Sequence, residues 1–374
     1  MLMYEDLKNV DVVIFGYSAL GKKIYFDLKN RNKSICFCDN SSRKHGEKEG
    51  GEKVYAVHNT IKRNCKYVLA TLYHKEDMMK QLINLGVDKE NIVINIPKEM
   101  QENARIEEQR KKETKRNSLR LEIDIVKHCN LNCKGCDHFA PLAEKQFLDL
   151  PTLQKDLKRL AMLFSNKAEE IYLLGGEPLL NHKINDYIKV VRDSFPNTRL
   201  LIITNGILLD QMPIDFWDVC KKYNVIISPT KYPIKIDYDK LQGLAEKYGV
   251  QYEYYGSSEA GRSLWHFPLD FLGKQDMEHS FINCRAANVC ITLENGRLFT
   301  CSIAANIETY NKYFKQNYII SEDDYIDIYK AKSADEILQK LARPIPFCRY
   351  CDVEHRSYDH PWTISKKSIK EWTL

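Results

Sequence analysis

Cys129, Cys133 and Cys136 stand in a C-x3-C-x2-C spacing that lets one loop present three thiolates to a single object. Three thiolates suit three corners of an iron-sulfur cube and leave its fourth iron open to a small molecule. A zinc ion closed by a fourth ligand, His128 or His138, is the alternative reading. A second group follows at Cys284, Cys290, Cys301, Cys348 and Cys351. Cys284, Cys301, Cys348 and Cys351 make a full set of four for a second cluster, with Cys290 a spare core residue or a substitute for Cys284. A zinc ribbon is again the alternative. Cys36, Cys38, Cys65 and Cys220 have no ligand spacing and read as core. Between the groups, Gly175-Gly176-Glu177-Pro178 combines backbone without side chains and a carboxylate, which suits close approach to a ligand bearing an ammonium group.

Such residues need strands to carry them. Short β-rich runs at 10–15, 34–38, 67–72 and 91–96 alternate with helical stretches, the rhythm of a parallel α/β sheet. In the first of them a strand enters Gly16-x-Ser18-x-x-Gly21, and Asp39 ends the next, approximating a dinucleotide-binding turn. The stretch 98–116 is dominated by Glu, Lys and Arg and reads as a solvated linker helix. From 121 the rhythm resumes, with strands expected at 121–126, 171–174, 200–204, 225–228 and 251–254. Leu153, Leu157, Leu160, Ala161 and Phe164 form a helical stripe behind Pro151. Repeated βα units of one hand curl into a full or partial barrel whose reactive groups gather at strand ends. Asn295-Gly296 predicts a hairpin between 289–293 and 297–300, carrying Cys284 and Cys301 to its base. The polar stretch 352–360 reads as a solvated tail.

Composition narrows the classes further. The chain has 374 residues, 44% hydrophobic and 29% charged, with 12 Cys and a net charge of +5. Two or three domains are expected. The charge is too mild and too mixed to mark a nucleic-acid partner, and no apolar run has the roughly 20 residues that cross a bilayer. Acidic Glu5 and Asp6 precede any apolar stretch, so no signal peptide is read. Cytoplasmic residence is expected, and there cysteines serve metals more than disulfides.

The cysteine triplet resembles the signature of the radical S-adenosylmethionine (SAM) superfamily, and the resemblance extends over 121–262. Gly175, Gly176 and Glu177 are similar to the family's GGEP loop, whose backbone and acidic residue receive the SAM amino group. Thr204-Asn205-Gly206 matches its TNG element, and Ser228 lies where relatives approach the ribose or carboxylate. Gly135 departs from the family, which has an aromatic residue there packing on the adenine; Phe139 or a later side chain is expected to replace it. The tail resembles a twitch domain, a shortened SPASM domain, through Cys284-x11-Gly296-x4-Cys301 and Cys348-x2-Cys351, with Arg262 in a preceding GR element. The amino-terminal part looks like Rossmann-like modules of sugar-modifying enzymes.

The resemblance implies an α/β protein with a Rossmann-like domain (1–98), a charged helical linker (99–119), a radical SAM partial (β/α)6 barrel (120–265) and a small α+β auxiliary-cluster domain (266–374). It implies a SAM-binding [4Fe-4S] cluster, SAM, a second auxiliary cluster and a flavodoxin- or ferredoxin-like electron donor. The implied activity is hydrogen abstraction that oxidises or epimerises a sugar, cyclitol or nucleotide-sugar. Maturation of a peptide or protein substrate is the alternative.

Overall fold

The computed structural model describes residues 3–40, 44–62, 65–71, 75–104, 118–256 and 264–374. The chain divides into two compact units, Met1–Thr114 and Lys115–Leu374.

In the first unit, β1 (Asp11–Phe15), β2 (Ser34–Asp39), β3 (Lys48–Glu49), β4 (Glu52–Ala56), β5 (Lys66–Leu69) and β6 (Ile92–Val93) form one sheet. Its order is β3-β4-β2-β1-β5-β6, parallel except for β3 against β4. The turn after β1 is closed by the protein itself. Ser18 caps helix Ala19–Leu28 by accepting from the Gly21 N–H at 3.2 Å, and Asp39 accepts the Tyr17 N–H at 2.8 Å. The Tyr17 and Gly21 N–H groups and one oxygen of Asp39 are thus engaged within the turn. Residues 98–104 are helical, and the buried Ala104 with Met100 packs on this unit's core, so the start of the charged stretch has an apolar face after all. The rest of that stretch, 105–117, lies outside the described residues, as does Arg262.

The second unit is built on β7 (Arg120–Val126), β8 (Glu170–Gly175), β9 (Arg199–Thr204), β10 (Val225–Pro229) and β11 (Gln251–Tyr252), paired parallel in that order. Helices Leu150–Leu163, Ile184–Ser194, Ile214–Lys222 and Tyr238–Tyr248 alternate with them. The helical stripe falls in the first of these. Asp149 caps it by accepting from the Thr152 N–H, and Leu153, Leu157, Leu160 and Ala161 are buried. Alternation sorts β7: Leu121, Ile123 and Ile125 enter the large apolar core under the helices, while Glu122 and Asp124 face the opposite, concave side.

Barrel and tail share one sheet. After β12 (Leu264–His266), strands β13 (Thr292–Glu294), β14 (Arg297–Phe299) and β15 (Tyr325–Asp327) extend it beyond β7, and β16 (Ser357–His360) pairs with β12. The order β11-β10-β9-β8-β7-β13-β14-β15 is open, with no closure among the described residues. β13 runs parallel to β7 through Thr292 and Glu122, then turns at Asn295-Gly296, both at positive φ (47° and 75°), as the two-residue hairpin requires.

The hairpin is tied to the barrel by a buried carboxylate. Asp156, 3% exposed, accepts the Gly296 N–H at 2.7 Å and the Tyr329 hydroxyl at 2.6 Å. Asp156→Ala would leave both donors without this acceptor. The loss is expected to cost about 3 kcal/mol and to lower the calorimetric midpoint of the 115–374 transition; an unchanged midpoint contradicts the anchor.

Candidate functional site

The cysteine loop is held against the end of β8. Gly176 donates its N–H to Val126 O at 2.7 Å, and Glu177 donates to His128 O at 3.1 Å. A Cβ on Gly176 would lie 2.0 Å from His128 O, and one on Gly175, at φ +127°, would lie 2.1 Å from Val126 O. The two glycines therefore serve first to bring backbone onto backbone, more than to admit a ligand.

Glu177 then locks the next loop. Its side chain is fully buried and accepts from the Thr204 hydroxyl at 2.6 Å, the Asn205 N–H at 2.8 Å and the Leu179 N–H at 3.1 Å. Burial pushes this carboxyl up to about 7 against the pull of those donors. Asn205 in turn donates through Nδ2 to Asn130 Oδ1 at 2.7 Å, with Cys129 Sγ at 3.8 Å. Ser228, 1% exposed on β10, pairs with Ile203, and Thr230 donates to Thr204 O. Three strand ends that are far apart in sequence thus meet at Cys129.

Cys129, Cys133 and Cys136 lie close enough for their charges to act on one another. Burial pushes the Cys129 thiol up to about 11, opposed by the Leu131 N–H at 3.4 Å from its sulfur, and drives Cys136 well up. A cationic centre reverses this, because ligation requires the thiolate. Among the described residues no three His, Cys, Asp or Glu side chains converge on a single-ion site. A cubane does not require that, since each thiolate takes its own iron. Neither histidine closes the triplet. His138 Nδ1 bonds Asp124 at 3.1 Å, and the His128 ring stands edge-on to Phe147. Phe139 does not replace the missing aromatic residue: it is 1% exposed, packed on Tyr310 and Trp372.

The second group also assembles. Cys301 feels Cys284, Cys348 and Cys351, and Cys348 and Cys351 each feel Cys284. Burial pushes Cys351 up to about 12, and the neighbouring Arg356 guanidinium pulls it back. Arg356 is 4% exposed over the Phe267 ring, and Asp352 and Val353 are buried too, so the start of this stretch is not a solvated tail, although Glu354 and His355 between them are exposed. Cys290 packs against the same core as these cysteines and lies next to Glu122, whose charge acts on it.

The concave face holds residues which the sequence reading passed over. Asp124, 1% exposed, meets His138 and accepts from Asn306 Nδ2 at 2.8 Å; Lys127 bonds Glu294 at 2.7 Å and Asn306 at 2.9 Å. Burial works to lower His138, but Asp124 and Asp137 win and raise it to about 10, while His138 holds Asp124 well below the usual carboxylate range. Burial pushes Glu122 up to about 7 although His138 opposes it, and its Oε2 lacks a hydrogen-bond partner. The signal was present as polar residues at alternate positions of an otherwise apolar strand.

Strands carrying three thiols, a glycine-acid turn and a Thr-Asn-Gly turn at successive ends define a class. Residues 123–236 match the Radical SAM superfamily, so this segment is a radical SAM domain, the kind that holds SAM and a [4Fe-4S] cluster. Similar curated proteins are the GTP 3',8-cyclases of Campylobacter jejuni subsp. doylei and Helicobacter pylori, 27% identical over 128 residues and 28% over 95. The matches cover 34% and 25% of this chain and only 38% and 30% of those relatives. Among solved structures, BtrN in complex with AdoMet and 2-DOIA aligns at 16% identity and TM-score 0.39, over 63% of this chain and 94% of that one. Streptococcus suis SuiB bound to precursor peptide SuiA aligns at 19% and 0.30, over 51% and 47%. Among the described residues no helix is long and apolar enough to cross a membrane.

Glu122 makes stability depend on pH. Its folded pKa lies above the usual 4.5, so the folded state keeps a proton that the unfolded chain releases, and its stability contribution is lost as pH rises from 4.5 through 7. Glu122→Gln removes this loss. The variant is expected to match the parent's pH slope below roughly pH 3.5, to diverge from it between 4.5 and 7 and to gain roughly 3 kcal/mol on it by about pH 8, read from apo-protein melts across that range. A pH-independent difference contradicts the assignment.

Proposed function

We propose that this chain is a radical SAM oxidoreductase which oxidises or epimerises a carbon of a sugar, cyclitol or nucleotide-sugar in the cytoplasm. The observation that carries the reading is the assembly of Cys284, Cys301, Cys348 and Cys351 as a second thiol set in the unit that bears the radical SAM domain. Four thiols suit an auxiliary iron-sulfur cluster able to take an electron from a substrate radical.

Each residue set has a task. Cys129, Cys133 and Cys136 would hold the first cluster, which with SAM supplies a 5'-deoxyadenosyl radical able to remove a hydrogen atom. Glu177 fixes the 175–178 and 204–206 turns to each other, so that Gly175, Gly176, Thr204, Asn205 and Ser228 line the strand ends where SAM would bind. Tyr232, whose ring centroid lies 6.1 Å from that of Trp362, is an aromatic residue at hand for an adenine. Arg262 joins the set through its sequence motif alone. On the concave face, Glu122 is a carboxyl of near-neutral pKa suited to take the hydroxyl proton when a carbinol carbon is oxidised. Polar Asp124, His138, Lys127 and Asn306 suit a polyhydroxylated substrate. A flavodoxin- or ferredoxin-like protein would deliver the first electron.

Anaerobic reconstitution tests this. The parent is expected to hold about eight irons and the Cys129→Ala, Cys133→Ala, Cys136→Ala variant about four, with 5'-deoxyadenosine formed only by the parent. Ring-deuterated sugars and nucleotide-sugars should pass deuterium into that nucleoside. Stoichiometric zinc without SAM cleavage overturns the radical reading, and transfer only from a peptide overturns the substrate class.

A further inference from the structure

The last residues of the chain fold back onto the cysteine loop. Lys134 donates its N–H to Thr363 O at 2.9 Å and Ser365 donates to Asn132 O at 2.8 Å, with Cys133 and Ile364 bridged antiparallel between them. Trp362 Nε1 donates to Cys133 Sγ at 3.2 Å. The segment is secured beyond that contact. Trp372 Nε1 reaches Cys136 O at 2.9 Å, Leu269 donates to Trp372 O, and the buried Glu371 accepts from Ser365, Lys366 and Ser368.

A tryptophan placed only for packing would be buried and would turn its N–H to a carbonyl or to water. Trp362 is half-buried, and its N–H points at a sulfur of the triplet. Resting on the radical SAM reading, we propose that the strap 361–374 is part of the first cluster's site and that Trp362 is a positioning residue. Its indole N–H holds Cys133 Sγ in place as a ligand and favours the reduced cluster. A hydrogen bond to a cluster sulfur is worth more when the cluster carries the extra negative charge, so it raises the reduction potential.

Trp362→Phe keeps a ring and removes the N–H. Redox titration of the SAM-responsive electron paramagnetic resonance signal should show the variant shifted to lower potential by roughly tenfold in the reduction equilibrium, about 59 mV for one electron. In the apo-protein, the Lys134 and Ser365 amides should exchange slowly. An unchanged potential with the cluster loaded overturns the role of Trp362, and fast exchange at both amides overturns the strap. A parent with no SAM-responsive cluster instead overturns the radical SAM reading on which both rest.

Discussion

The second unit depends on a backbone approach that tolerates no side chain. Gly175 and Gly176 let the end of β8 lie directly on the start of the cysteine loop, where even a methyl group would sit about 2 Å from a carbonyl oxygen. Hydrogen bonds to Val126 O and His128 O then fix where that loop begins. Because Glu177 follows at once, the same turn reaches across to Thr204 and Asn205, and through Asn205 back to Asn130. A ring of short polar contacts thus defines the strand-end surface before any cofactor is considered.

Around this surface the protein spends desolvation energy. A buried charge is tolerated only when it is paired and its remaining hydrogen-bonding capacity is met. Asp124 is paired with His138 and accepts from Asn306, and Lys127 is paired with Glu294. Glu122 avoids the charge by staying protonated near neutral pH. Chemistry that moves protons needs such a group, and packing alone would replace it with an apolar side chain.

The segment after the barrel strands is no appendage of them. It continues the barrel's sheet through β13 and β14, Asp156 pins its hairpin from a barrel helix, and the chain end returns to the cysteine loop. Both thiol sets are therefore held by one continuous hydrogen-bonded body.

Local pattern was legible from the sequence. Spacing picked out the thiol triplet, the β-and-helix rhythm picked out β1, β2 and β5 to β11 but neither β3 nor β4, and Asn295-Gly296 marked the hairpin, because each is set by residues near one another in the chain. The sequence missed whatever depends on separated segments meeting. The glycines at 175 and 176 were legible as a site for close approach, but not the backbone of 126 and 128 that they approach; Phe139 looked available and lies in a core with Trp372. The stretch at 352–360 looked solvated, yet Arg356 is buried beside Cys351. Sequence placed Cys284 in the four-thiol set with Cys290 as its possible substitute, and the fold sets Cys284 among three thiols and Cys290 beside Glu122. A residue's type and spacing state what it is able to do, but its burial and its partners come from chain distant in sequence, so only the tertiary structure decides which of those things it does.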